Sequence, residues 1–167
     1  MDLNATNLTP EVEHFGPYRV IGMSCTDQNY SELWAGENGF LSRRGEIKSP
    51  AEDQTMLGMS RCLPDDSQEY IAAVTVTPDC PVPDGMIEAV IGDATYAVIT
   101  VKGMDQISAG WVAMHAWLGE TSEWQTYCVR DADGVCGCTN YPCFEMYPAD
   151  HAQTDLVYIY VPIRSKA

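Results

Sequence analysis

Residues 94–120, ATYAVITVKGMDQISAGWVAMHAWLGE, decide how this chain folds. Positions 94–102 (ATYAVITVK) are rich in β-branched and aromatic residues and predict a strand. After Gly103 the period changes. Ile107, Trp111, Met114 and Leu118 recur every three or four residues and predict a helix over 105–118, with Gly119 as its stop. Two further strands, at 141–147 (YPCFEMY) and 156–163 (LVYIYVPI), complete the order strand, helix, strand, strand.

The first half of the chain repeats that order. Residues 17–24 (PYRVIGMS) predict a strand, and Asn29 caps a following helix with Glu32 placed as in a capping box. Tyr30, Leu33, Trp34, Phe40 and Leu41 fall on one helical stripe, although Gly36 and Gly39 weaken its regularity. Strands at 55–62 and 69–77 follow, divided by the turn-rich run Pro64 to Ser67. The proline-rich segment Pro78 to Gly85 joins the halves. The prediction is an α+β fold in a single domain over residues 1–167, made of duplicated strand-helix-strand-strand modules at about 14–78 and 86–164. The modules match in element order, not in residue identity.

The charge narrows the partners. Twenty-four acidic against 9 basic residues give −15, which repels nucleic acid and anionic lipid and attracts cations. No apolar run is long enough to span a membrane, and the start lacks the pattern of a signal peptide, so a cytoplasmic location is expected. The sequons at Asn4, Asn7 and Asn29 are then chance occurrences. No helix-turn-helix segment is expected beside the duplicated fold, so any regulation of DNA would run through another protein. The three histidines, His14, His115 and His151, show no ligand or triad spacing, and no serine or cysteine nucleophile has a matched histidine. The seven cysteines lack repeated Cys-x-x-Cys pairs, and Cys136-Gly137-Cys138 is tighter than usual zinc spacing. Reduced, metal-free thiols and no cofactor are expected. The stretch Gln125 to Asn140 reads as an exposed insertion.

Several short elements carry a resemblance. Pro83-Asp84-Gly85-Met86, then Ala94-Thr95-Tyr96-Ala97-Val98, a helix ending Trp117-Leu118, the strand Phe144-Glu145-Met146-Tyr147 and a closing Val161-Pro162-Ile163 are similar to motifs of one family. The chain resembles the gyrase-inhibitor-like small-molecule-binding domains, which also serve as the effector-binding half of AraC-type and multidrug-responsive transcription regulators. The resemblance implies one curved antiparallel sheet carrying two helices, with a ligand cleft on a pseudo-twofold axis. It also implies that the family's pocket glutamate is Glu145, and it permits an origin on a mobile gene cassette. The sequence departs from the pattern at Glu120 to Trp124 and in the cysteine-bearing loop that follows.

Glu145 stands in an otherwise apolar strand, where an unpaired carboxylate costs several kcal/mol. Alternation puts Cys143, Glu145 and Tyr147 on one face, and Tyr158 and Tyr160 together on a face of the last strand. The expected ligand-binding set is Glu145, Tyr147, Tyr160, Trp117, Trp124, Tyr70, Trp34 and Met56. A carboxylate framed by aromatic rings suits a lipophilic aromatic cation, so sensing or sequestration of drug-like cations is the first expectation. The alternative, which the resemblance implies because some relatives of the fold are similar to hydrolases, is hydrolysis of cyclopropane-bearing or related toxic compounds with Glu145 as the catalytic group. The third is inhibition of a protein such as gyrase. The expected partners are thus a small organic cation and a regulator or other protein in trans, with no direct contact to nucleic acid or membrane.

Overall fold

The structure is a computed structural model and describes residues 8–134 and 136–167; the sequons at Asn4 and Asn7 lie outside the described residues. In chain order the elements are β1 (Glu11–Phe15), β2 (Tyr18–Cys25), α1 (Tyr30–Ala35), α2 (Phe40–Arg43), β3 (Met56–Cys62), β4 (Gln68–Val76), β5 (Ile87–Ile91) and β6 (Ala94–Lys102). They continue with α3 (Ile107–Glu120), β7 (Trp124–Thr126), β8 (Cys143–Tyr147), α4 (His151–Thr154) and β9 (Leu156–Ser165).

The strands form one antiparallel sheet in the order β1-β6-β9-β8-β3-β4-β2-β5, with β7 added to β9. The duplication is visible in this order. Outward from the β8–β3 seam, one side runs β3, β4, β2 and the other β8, β9, β6, which is the second, third and first strand of each module. The edges are exchanged: β1 precedes β2 but pairs with β6, and β5 precedes β6 but pairs with β2. This exchange curls the sheet, and the rings of Phe15 and Tyr18 meet across the β1–β2 junction at 4.7 Å.

Both faces of the sheet are buried, so its central strands read as nearly continuous apolar runs. Leu57, Met59, Ile71, Tyr96, Phe144 and Tyr160 fill the inside of the curl. The outer face is split between two helical covers. Leu33 and Phe40 press on Ile21, Ala72 and Val74, while Met114 of α3 presses on Ile99, Val101 and Ile159. Each fully buried large side chain contributes about 1.5 to 3 kcal/mol.

Several boundaries differ from expectation. The stripe over 29–41 is two short helices, because the chain turns extended at Gly36 (ψ 165°). The expected Asn29 cap is present, its side chain accepting from the Glu32 amide at 3.4 Å. Helix α3 runs through Gly119 and stops at Thr121, whose φ and ψ of −64° and 130° end it without a left-handed residue. Strands β1, β5 and β7 are additions: β1 is an exposed polar edge in which Phe15 is the one hydrophobic residue packed on the inner cluster, so apolar patterning could not reveal it. Among the described residues, no helix is long and apolar enough to cross a membrane.

Candidate functional site

Helices α1 and α3 lie on the outer face to either side of the β8–β3 seam, and between them is a cavity of about 610 Å³. Its floor comes from neighbouring strands: Met56 of β3, Tyr70 of β4, and Glu145 and Tyr147 of β8. Tyr30 and Trp34, one helical turn apart on α1, supply one wall. Ile107 and Ser108 of α3 supply the other, and Met104 and His151 also line the cavity. Among the described residues no lysine or arginine lines it, and Glu145 is the one acidic side chain that does.

Glu145 is held by two donors. The Trp111 indole N–H donates to its Oε1 at 2.8 Å and the Tyr147 hydroxyl to its Oε2 at 3.0 Å. Each oxygen therefore keeps a lone pair for another donor. Among the described residues, the ion pairs of Lys, Arg and His lie elsewhere and none reaches Glu145. The carboxylate is fixed in direction without being neutralised.

The tyrosines around it stay protonated. Burial, then the charge of Glu145, pushes the phenols of Tyr147 and Tyr70 well above the usual range. Tyr70 accepts from the Trp34 indole N–H at 3.0 Å and stacks at a tilt with Tyr30, ring centres 4.5 Å apart. Trp34 meets the Tyr147 ring edge-on at 5.8 Å, and His151 meets the same ring at 5.4 Å. The His151 Nδ1–H donates to the Leu156 carbonyl at 2.8 Å, which directs Nε2 away from that bond.

Five of the eight expected residues thus meet here: Glu145, Tyr147, Tyr70, Trp34 and Met56. Three do not line this cavity. Tyr160 points inside the curl, stacks on Phe144 at 4.7 Å and donates to Glu13 at 2.8 Å. Alternation had grouped it with Tyr158 correctly, but on the face opposite Glu145. Trp117 and Trp124 pack beside the buried outer-face cluster under the far end of α3. Sequence reasoning missed Trp111 as a partner of Glu145. Trp111 belonged to the α3 stripe, but its meeting with a strand residue 34 positions away is a tertiary fact. It also missed Gly58, which faces Glu145 across the β3–β8 pairing.

Comparison with known proteins agrees with this architecture. A search of curated proteins gives no match. Among solved structures, a putative bacterial transcription regulation protein from Staphylococcus aureus superposes with a TM-score of 0.58 at 15% identity, covering 93% of this chain and 97% of its own. The protein SAV2435, solved bound to tetraphenylphosphonium, gives 0.60 at 14% identity, covering 93% of each chain. An integron cassette protein from the mobile metagenome of Vibrio cholerae gives 0.55 at 12% identity, covering 93% of this chain and 96% of its own. At these identities the likeness is one of fold. The model of the integron-associated effector binding proteins matches residues 17–163, both modules and the seam between them, and this chain belongs to that family.

Proposed function

We propose that this protein binds lipophilic aromatic cations in the cavity between α1 and α3, with Glu145 as their counter-ion. One observation carries the reading: a directed carboxylate without a basic partner among the described residues, set among Tyr30, Trp34, Tyr70 and Tyr147. Leaving such a charge unmatched costs energy that a bound cation recovers, and each ring face adds about 0.5 to 2 kcal/mol of attraction for positive charge. The cavity suits a drug-sized molecule. SAV2435, which shares the fold, was solved with a cation of this class.

The consequence of binding is sensing or sequestration. With a net charge of −15 the chain itself repels DNA, so an effect on transcription would pass through a partner protein. The experiment is a calorimetric titration with tetraphenylphosphonium and tetraphenylborate, which share a shape and differ in the sign of the charge. The cation is expected to bind at least tenfold more tightly. Equal affinity, or preference for the anion, would sink the proposal. Chromatography of the recovered ligand belongs to the same experiment, because turnover would instead favour a hydrolytic role for Glu145.

A further inference from the structure

Away from the cavity, four thiols converge. Cys62 ends β3, and Cys128, Cys136 and Cys138 come from the segment between β7 and β8. The four Sγ atoms all lie within 4.8 Å of one another. Cys128 Sγ is 3.8 Å from the sulfurs of both Cys62 and Cys136, and the Cys136 and Cys138 sulfurs are 3.1 Å apart. Tetrahedral zinc with Zn–S bonds of about 2.3 Å sets its sulfurs about 3.8 Å apart. Two spacings match this already, whereas a disulfide needs about 2.05 Å.

We propose that Cys62, Cys128, Cys136 and Cys138 form a structural zinc site that staples the β7–β8 segment to the β3–β4 hairpin. The segment is built to present its sulfurs. Arg130 and Cys136 pair as an antiparallel bridge, and the Gly137 amide donates to the Val129 carbonyl at 3.3 Å, so the two cysteine-bearing strands of the loop lie side by side. A side chain at 137 would collide with the Tyr127 carbonyl, which makes glycine necessary between the paired cysteines. The Cys62 amide points at the Cys138 sulfur at 3.1 Å, the kind of N–H donor that stabilises a metal-bound thiolate. Cys136 and Cys138 are buried, and an Arg130–Asp66 ion pair already docks the same two segments.

Spacing along the chain does not reveal this set: Cys143, five residues after Cys138, is outside the cluster, and Cys62, 66 residues before Cys128, is inside it. On binding, four thiols release four protons to the buffer and Zn²⁺ takes four sulfur lone pairs, leaving a tetrathiolate of charge −2. Four protein ligands leave no open position, so the role is structural, not catalytic.

The test is metal analysis of the full chain, purified from zinc-supplemented cells without a metal-affinity tag. One zinc per chain is expected, resistant to a chelator of roughly micromolar affinity, since structural zinc sites bind far more tightly. Cobalt titrated into the metal-free chain should give the intense d–d bands of tetrahedral thiolate coordination. Cys62→Ser and Cys128→Ser should abolish both signals, and Cys25→Ser, outside the cluster, should keep them. Should Cys62→Ser fail to fold, the exposed Cys128 and the unmutated chain's cobalt spectrum still decide. Zinc stripped by the weak chelator, cobalt bands of octahedral type, or a Cys136–Cys138 or Cys62–Cys128 disulfide in metal-free fresh protein would each overturn the proposal.

Discussion

Gly58 lies directly opposite Glu145 in the β3–β8 pairing, and a methyl group built on it would collide with the Tyr70 hydroxyl and come within 3.3 Å of Glu145 Oε2. The absence of a side chain at 58 lets an acid from one module and a phenol from the other share the space over the seam. A glycine inside a strand costs stability, so its presence marks a place where something approaches the backbone closely.

Gly58→Ala should therefore push the Tyr70 hydroxyl into the cavity and weaken tetraphenylphosphonium binding by at least about tenfold, equivalent to about 1.4 kcal/mol. Overpacking should also cost roughly 1 to 3 kcal/mol of stability. Removing the colliding oxygen with Tyr70→Phe should restore part of both losses, giving a non-additive double-mutant cycle by calorimetry and chemical denaturation. Strict additivity would mean that the two side chains do not compete for that space.

Trp111 acts on the ligand through Glu145, because its indole N–H holds Oε1 and the ring itself lies outside the cavity lining. Trp111→Phe keeps most of the packing and removes the donor. Stability should fall by about 0.5 to 1.5 kcal/mol. Cation affinity should fall severalfold, with the preference for cation over anion retained, since the charge remains. Loss of that preference in paired titrations would show that Trp111 does more than orient the carboxylate.

Four phenols, those of the buried Tyr96, Tyr147 and Tyr160 and of the half-buried Tyr70, make the fold sensitive to alkali. Burial pushes Tyr70, Tyr96, Tyr147 and Tyr160 above their ordinary value, helped by Glu145 beside Tyr70 and Tyr147 and by the Glu13 bond on Tyr160. Above the unfolded value of about 10, the unfolded chain loses these protons while the folded chain keeps them, so stability falls as pH rises. Below that pH both states are protonated and the phenols contribute no slope. Each phenol adds up to about 1.4 kcal/mol per pH unit in the falling window. Denaturation in reductant between pH 8 and 12 should show this onset near 10, and Tyr147→Phe should reduce the slope by about one proton.

The duplicated order of elements was legible because each module switches from a run rich in β-branched and aromatic residues to a period near 3.6, as in 94–102 against 107–118. Strand β1 was not, because an edge strand's exposed residues leave no apolar pattern. The site was half legible. Strand alternation put Glu145 and Tyr147 together, and helix periodicity put Tyr30 and Trp34 together. Neither period tells which face of β9 looks toward β8's carboxylate, so Tyr160 was grouped with the wrong surface. The Cys62–Cys128 approach was likewise invisible, since it depends on how the β7–β8 segment lies over β3.

Glu145→Gln isolates the charge from the shape. Gln at 145 retains an oxygen to accept from Trp111 or Tyr147 and replaces the other by an amide donor, so one of the two present bonds must rearrange. Fold stability should change little, because no basic group of the described residues is orphaned by the loss of the carboxylate. A rigid aromatic cation should lose about 1.5 to 3 kcal/mol, roughly 10- to 100-fold, which is the range of a charge-assisted contact out of bulk water. A neutral ligand of the same shape should bind the variant no worse, and the anion should bind it better. The informative quantity is the ratio of cation to neutral affinities, because a general distortion of the cavity lowers both and leaves the ratio unchanged. A collapse of that ratio with the melting curve intact identifies Glu145 as the counter-ion; an unchanged ratio places the selectivity in the rings of Tyr30, Trp34, Tyr70 and Tyr147 instead.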